Sequence, residues 1–228
     1  MAIARSQVST AIPGKEMEFI SLSKEGIKLM NDKGIPTGVR VSHSGTQDIE
    51  VYTVSMFDNY SDYGAAQEKL ISDPELQAWY AKTVASGSGR IIDTMEMVEM
   101  KGFEKGAGLI GNVTVIVMYK LIQDQGNMAK FVQSCQTAKE FQEKHGAQVR
   151  LWQVNASQRY TGMMAYTMGF ENFDDMGKAF DGWKEENEKF YFKQPVTATM
   201  EQQIIMRSST MIGSVSYTHL TLPTTPYV

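Results

Sequence analysis

The sequence repeats itself once. Residues 57–66, FDNYSDYGAA, return at 170–179 as FENFDDMGKA, 113 residues later and without a gap. Phe57, Asn59, Asp62, Gly64 and Ala66 recur as Phe170, Asn172, Asp175, Gly177 and Ala179. So long a period exceeds a solenoid unit and suits a duplicated small domain. It predicts that one half of the chain folds as the other does. The recurrent glycine predicts a close approach common to both halves, because a helical glycine costs about 0.5–1 kcal/mol relative to alanine.

The C-terminal stretch is of another kind. SVSYTHLTLPTT, residues 214–225, resembles the translation of a synthetic sequencing adapter. Residues 215–228 are therefore set apart as a non-native tail, expected to be unpacked and dispensable. The natural end of the chain after about residue 214 stays open. A net charge of −4 and the lack of any basic run argue against a nucleic-acid partner. No apolar run approaches the roughly 18 residues of a membrane span. The opening MAIARSQVSTAIPGKEMEF lacks the apolar core of a signal peptide, so a cytoplasmic protein is expected. The single Cys135 excludes an internal disulfide and a multi-cysteine metal site. Sixteen methionines, clustered at Met95, Met97 and Met100 and at Met163, Met164 and Met168, suggest a plastic core.

Periodicity and punctuation divide the rest. In the first half, residues 1–100, Ala2–Thr10 reads as a strand, and a helix opens at Pro13-Gly14 and runs to about Lys33. Gly34 and Pro36 close it. Strands at Gly38–His43 and Ile49–Phe57 follow. Asn59 or Ser61 caps the next helix, and Asp73-Pro74-Glu75 starts another. After a loop at 85–89, Arg90–Met100 is the last strand. Residues 101–112 form a Gly-rich linker. The second half, residues 113–214, begins with a strand at Val113–Leu121. Met128, Phe131, Val132, Cys135, Ala138 and Phe141 then mark one helix face, ending at His145-Gly146. Strands at Val149–Asn155 and Gly162–Phe170, a helix from Asp174 to about Phe192 and a strand at Glu201–Ile212 complete it. The third strand of each half, VYTVSMF and MMAYTMGF, has no water-facing side. An antiparallel sheet with one wet face would alternate, so both faces of these strands must be covered.

A βαββαβ unit present twice, with sheets covered on both faces, resembles the dimeric α/β-barrel superfamily. The motif F-[DE]-N-[YF]-x-D-x-G-x-A, followed in the first half by KLISDPELQAW, is similar to its antibiotic-biosynthesis-monooxygenase-like (ABM) domains. The resemblance covers residues 2–100 and 113–212. It implies an α+β fold: two tandem ferredoxin-like βαββαβ repeats forming an intramolecular, pseudo-dimeric α/β barrel. The superfamily includes cofactor-free monooxygenases, lyases, isomerases, haem enzymes and proteins without known activity, so fold does not choose among them.

No phosphate loop, zinc signature or nucleophile elbow occurs. His43 ends the second strand in phase with Val39 and Val41, and is the candidate base. Arg40 is the candidate stabiliser of an oxyanion. Alternation along the strand already warns that the two side chains face opposite ways. Tyr52, Arg90, Asp93, Trp152 and Tyr166 are candidate substrate-binding residues. A strand arginine needs a partner, which Asp93 offers, and the aromatics suit the wall of a pocket. Core packing competes for each aromatic, and a rim position before a turn competes for His43. At a constant offset of 113, Arg40, His43, Tyr52, Arg90 and Asp93 align with Gln153, Ala156, Ala165, Gln203 and Met206. All the titratable groups are on one side, so a working site is expected in the first half, between its sheet and helices. His145, at a helix end, reads as structural, and a haem-proximal role would require it to face a cavity. Neither a metal nor another cofactor is expected. The functional expectation is a protein that binds a small apolar or aromatic molecule. Its finer form is a cofactor-independent monooxygenase of an aromatic or polyketide-like substrate. A non-catalytic ligand- or partner-binding module is the alternative, and a haem-binding enzyme the third reading. Monomer and homodimer both remain open.

Overall fold

The chain runs β1 (Ile3–Ala11), α1 (Glu16–Asp32), β2 (Thr37–Ser44), β3 (Glu50–Phe57), α2 (Tyr60–Ser72), α3 (Pro74–Ser86), β4 (Gly89–Glu99), β5 (Val113–Leu121), α4 (Asn127–Lys144), β6 (Gln148–Ala156), β7 (Met164–Phe170), α5 (Phe173–Tyr191) and β8 (Ala198–Ser208). This is a computed structural model describing residues 1–46, 48–105, 108, 111–124, 126–191 and 196–208, with Tyr191 described by its backbone only. The adapter-like tail, 215–228, lies outside the described residues.

The eight strands close into one antiparallel barrel in the order β1-β3-β2-β8-β5-β7-β6-β4. Each half contributes the same order, β4-β1-β3-β2 and β8-β5-β7-β6. The edge strand β2 pairs with β8, and β4 with β6. Each half thus covers the open edges of the other, which removes the unpaired backbone that an edge strand exposes. The α+β fold of two ferredoxin-like repeats in a pseudo-dimeric barrel is what the chain adopts.

The recurrent motif has a local cause. Asn59 Oδ1 accepts the Asp62 amide at 2.9 Å, and Asn59 Nδ2 donates to the Asp62 carboxylate at 2.8 Å. Asn172 and Asp175 repeat both bonds, at 2.8 and 2.9 Å. Each pair is a reciprocal helix cap that satisfies an orphan amide and places an acid in the first turn. Asp73 caps α3 by accepting the Glu75 and Leu76 amides at 2.9 and 3.1 Å, with Pro74 in the first turn. Three boundaries differ from expectation. Gly14 adopts φ +84° in a turn, so α1 starts at Glu16 and not at Pro13-Gly14. Gly162 adopts φ +80° in the turn before β7, so that strand starts at Met164. β8 starts at Ala198 because Leu121 still pairs there.

The recurrent glycine does not have the predicted cause. A Cβ on Gly64 or Gly177 would meet nothing within 4 Å, and the structure gives no account of why glycine recurs. The close approaches are elsewhere: a Cβ on Gly26 would overlap the Trp79 indole, and one on Gly182 would lie 2.5 Å from His145 Nδ1. Gly64→Ala and Gly177→Ala are therefore each expected to stabilise by about 0.5–1 kcal/mol through lower unfolded-state entropy. Urea denaturation reads this, and a loss at either position would mean the helix is more crowded than described.

Register shows that the halves are not related by one offset. Ile3 and Val113 each pair with the motif phenylalanine, an offset of 113 − 3 = 110. On the second strands, Arg40 opposite Tyr52 matches Trp152 opposite Ala165, giving 152 − 40 = 112. On the fourth, Val98 matches Arg207, giving 109. The structural counterparts of Arg40, Arg90 and Asp93 are thus Trp152, Thr199 and Gln202, not Gln153, Gln203 and Met206. His43 and Asn155 both sit at register shifts in their strands.

Both faces of the sheet are covered, as the third strands required: β3 is largely buried and β7 wholly so. One face lines the barrel interior, where Ala4, Val8, Met56, Met95, Met97, Ile116, Met118, Val154, Ile204 and Met206 pack. The other meets the helices. In the second half that layer is one continuous core around Phe131, Phe141, Phe170 and Trp183. In the first half it is split into two smaller clusters, one around Ile3, Phe57 and Leu76, the other around Phe19, Val39 and Val51.

A candidate ligand cleft in the first half

A cleft of about 700 Å³ lies where that layer is split, between the sheet and the helices. Alternation along β1 puts Arg5, Gln7 and Ser9 on its floor, and β3 adds Thr53 and Ser55. The roof is largely apolar, with Phe19, Ile27 and Met30 from α1, Leu70 from α2, and Leu76 and Trp79 from α3, interrupted by Ser23, Gln67, Gln77 and Thr83. The Trp79 indole N–H donates to Leu22 O at 3.0 Å, which fixes the ring against α1. Ile71, Tyr80, Val84 and Ile91 rim the mouth and are exposed.

The second half shows what this layer looks like when filled. The counterparts of Arg5, Gln7 and Ser9 are Val115, Val117 and Tyr119, and those of Thr53 and Ser55 are Tyr166 and Met168. Tyr119, Tyr166 and Met168 are much larger than Ser9, Thr53 and Ser55, and the cleft here is only about 200 Å³. There Tyr166 donates its hydroxyl to Gln142 Oε1 at 2.5 Å. Cys135 also lines it, and burial pushes its thiol up to about 12, so it stays protonated at neutral pH.

A polar sheet face beneath apolar helices is costly if dry and unpaired. The Arg5 guanidinium makes no hydrogen bond or ion pair with any described residue, and the carboxylate of Glu96, opposite it on β4, accepts from the Tyr63 hydroxyl at 3.1 Å instead. The residues outside the described set carry no Asp or Glu side chain. Gln67 Nε2 is buried and, among the described residues, has no hydrogen-bond partner. The cleft therefore offers one half-buried cation, a carboxamide donor and the Thr53 hydroxyl to an occupant, while Ser55 bonds Thr37 and Ser9 accepts from Gln7. Among the residues that line it there is no His, Asp, Glu or Cys. A depression of about 750 Å³ over the end of β5 offers less, for its charged residues Lys120, Asp124 and Glu201 are all exposed.

Of the sequence-predicted residues, Arg90 lines this cleft. Arg40, Tyr52 and Trp152 face the barrel interior instead. At one end of the barrel Tyr52 donates its hydroxyl to the Glu50 carboxylate, and burial first, then Glu50, pushes its ionisation far up. Asp93 belongs to the same end. It accepts from Ser157 Oγ at 2.7 Å and the Gln158 amide at 2.9 Å, and Arg159 bridges it to Glu50 at 3.4 Å to each. Arg159, not Arg90, is thus the partner of Asp93. Trp152 Nε1 donates to Thr167 Oγ1 at 3.2 Å, and its ring lies 4.6 Å from the Arg150 guanidinium carbon. Tyr166 lines the small second-half cleft. His43 is exposed, with its ring 4.8 Å from that of Phe173, and lines none of these clefts. The structure does not bring His43 and Arg40 together, because β2 alternation sends them to opposite faces. The floor residues Arg5, Gln7, Ser9, Thr53 and Ser55 went unnoticed in the sequence, although R-x-Q-x-S is a period-2 polar stripe.

No protein-family model matches the sequence, and no curated protein matches it. Solved structures do match. A candidate monooxygenase from Fusobacterium nucleatum superposes with a TM-score of 0.58 at 11% identity, over 91% of this chain and 92% of that one. A haem-binding protein from Thermus thermophilus gives 0.53 at 10% identity, over 91% and 90%. A chlorite dismutase mutant from Candidatus Nitrospira defluvii gives 0.51 at 9%, over 91% of each. At such identities the likeness is one of fold. Among the described residues, none is placed to hold a haem. His145 packs on Gly182 and pairs with Glu186 at 3.4 Å, and it lines none of these clefts. Cys135 is a buried neutral thiol. Among the described residues, no three His, Cys, Asp or Glu side chains converge as a metal would need, and no helix is long and apolar enough to cross a membrane.

Proposed function

We propose that this chain binds a small, largely apolar molecule, aromatic in part, in the first-half cleft, with an anionic or strongly accepting oxygen directed at Arg5. The observation that carries this is the contrast between the halves. One has a polar floor with a cation that makes no direct ion pair, under a largely apolar roof. The other fills the same layer with Tyr166, Met168 and Trp183. Small-molecule sites combine apolar walls with a few convergent polar groups in this way. Monooxygenation without a cofactor is the finer form of the proposal, supported by the fold shared with candidate monooxygenases. The cleft supplies one half of that chemistry. Arg5 stabilises a phenolate or enolate, but no lining side chain serves as a base. The substrate must therefore be acidic enough to lose its proton to bulk water and bind as the anion, and that electron-rich anion is what meets oxygen.

Hydroxynaphthoates are suitable probes. Wild-type protein is expected to gain several degrees in Tm at saturating probe, since occupancy at 100 Kd is worth about 2.7 kcal/mol. Arg5→Met should weaken the response at least tenfold, and naphthalene, which lacks the oxygen, should bind correspondingly less well. Oxygen uptake with the same probes separates a monooxygenase from a binding module. If Arg5→Met leaves the response intact while Tyr166→Ala abolishes it, the site belongs to the second half and the proposal fails.

A further inference from the structure

The barrel interior contains a charge that the cleft does not explain. Arg40 is only 5% exposed, and it projects inward from β2. Its Nε donates to Thr114 Oγ1 at 3.4 Å, Nη1 to Val39 O at 3.2 Å and Nη2 to Gly111 O at 2.7 Å. Those are neutral acceptors. No Asp or Glu side chain of the described residues lies within ion-pair distance, and the remaining residues contain none. Three bonds use three of the five N–H groups of a guanidinium, and an arginine does not shed its proton to escape burial. The neighbouring cation, Arg150, is compensated by Glu99 at 2.6 Å. This end of the interior therefore holds two guanidiniums and one carboxylate.

Arg40 and Arg150 line a cavity of about 70 Å³. Ser6, 2% exposed, lines it too, and its hydroxyl has no hydrogen-bond partner. The other walls are soft and apolar, chiefly Met56, Met95, Met97 and Met206. A cavity of this size takes about two water-sized bodies. A surplus buried cation and an unpartnered hydroxyl donor converge on it, and both are costly when left alone. We propose that the barrel interior binds a small polarisable monovalent anion, of halide or nitrate size, between the Arg40 guanidinium and the Ser6 hydroxyl. The anion restores charge balance, accepts the free N–H and O–H groups, and meets thioether walls that suit a weakly hydrated ion. This site lies on the opposite face of the sheet from the ligand cleft and does not depend on it.

The test uses the full chain in sodium gluconate, an anion too large for the cavity, with chloride or nitrate replacing gluconate at constant ionic strength. Wild-type Tm is expected to rise along a saturating curve, by several degrees at the plateau, and Arg40→Met should abolish the dependence while leaving a folded protein. Ser6→Ala keeps the cation and should move the midpoint at least threefold to higher anion, which also decides the matter should Arg40→Met not fold. A wild-type Tm without a saturating response overturns the proposal. So does a response that persists in Arg40→Met, or a midpoint that Ser6→Ala leaves unchanged.

Discussion

Glu99→Gln is expected to cost about 3–5 kcal/mol of folding stability, the range for removing one partner of a buried ion pair. Glu99 and Arg150 are each 1% exposed, and Arg150 Nε donates to Glu99 Oε1 at 2.6 Å. The same carboxylate accepts the Ala2 amide at 3.3 Å and the Lys105 amide at 3.2 Å. It therefore ties the start of β1, the connector after β4 and a strand of the second half to one charge. Glutamine keeps the shape but leaves the guanidinium charge in the barrel beside Arg40, another cation. Most of the cost is that stranded charge, not the net worth of the pair. Replacing both residues by methionine should accordingly restore most of the loss, because apolar pairs of similar volume often match a buried ion pair. In urea, the single change should lower the midpoint by more than about 1 M. A shift of a few tenths would mean that water reaches the pair.

The fold was legible because its signals are local and redundant. Asn59 and Asn172 cap equivalent helices, Asp73-Pro74 starts another, and the unalternating third strands require cover on both faces. Each of these is decided within a few residues, and the doubled motif adds the pairing of halves. The site was less legible, for two physical reasons. Loops of different length change the offset from strand to strand: the hairpin after β2 spans residues 45–49, and the one after β6 spans 157–163. An alignment at constant offset therefore puts Gln153 opposite Arg40, where the barrel puts Trp152. The second reason is that both faces of the sheet are covered, by helices on one side and the barrel interior on the other. Period-2 alternation says which residues share a face, but not whether that face meets helices or the barrel interior. Arg40, Tyr52, Asp93 and Trp152 are polar or aromatic strand residues that turn inward, into networks that hold the barrel together. Arg5, Gln7 and Ser9 are the same kind of residue on the other face. The signal that tells them apart is comparative. At the proper offset of 110 their counterparts are Val115, Val117 and Tyr119, and a polar stripe in one half against an apolar stripe in the other marks the half with a cavity.

That contrast gives the other large expected effect. Thr53→Phe with Ser55→Met converts the first-half floor toward the Tyr166 and Met168 of the second half. Phenylalanine is chosen over tyrosine because Tyr166 depends on Gln142 for its hydroxyl, and a tyrosine in the cleft would bring that need without that partner. The double variant should fold, with a Tm equal to or above that of the wild type, since burying added apolar surface in open space is favourable by up to about 2 kcal/mol. Binding of the hydroxynaphthoate probes should fall by more than about 100-fold, which is 2.7 kcal/mol, because the added side chains occupy the space over Arg5 without touching the charge itself. The combination is what discriminates. Loss of binding together with loss of fold would show only that the floor is needed for stability. A Tm lowered by overpacking would show that the cleft is too tight for a ligand of this size. An unchanged probe response in a stable variant would show that the ligand sits elsewhere, and the polar floor would then be a wet seam under the helices with no occupant of its own.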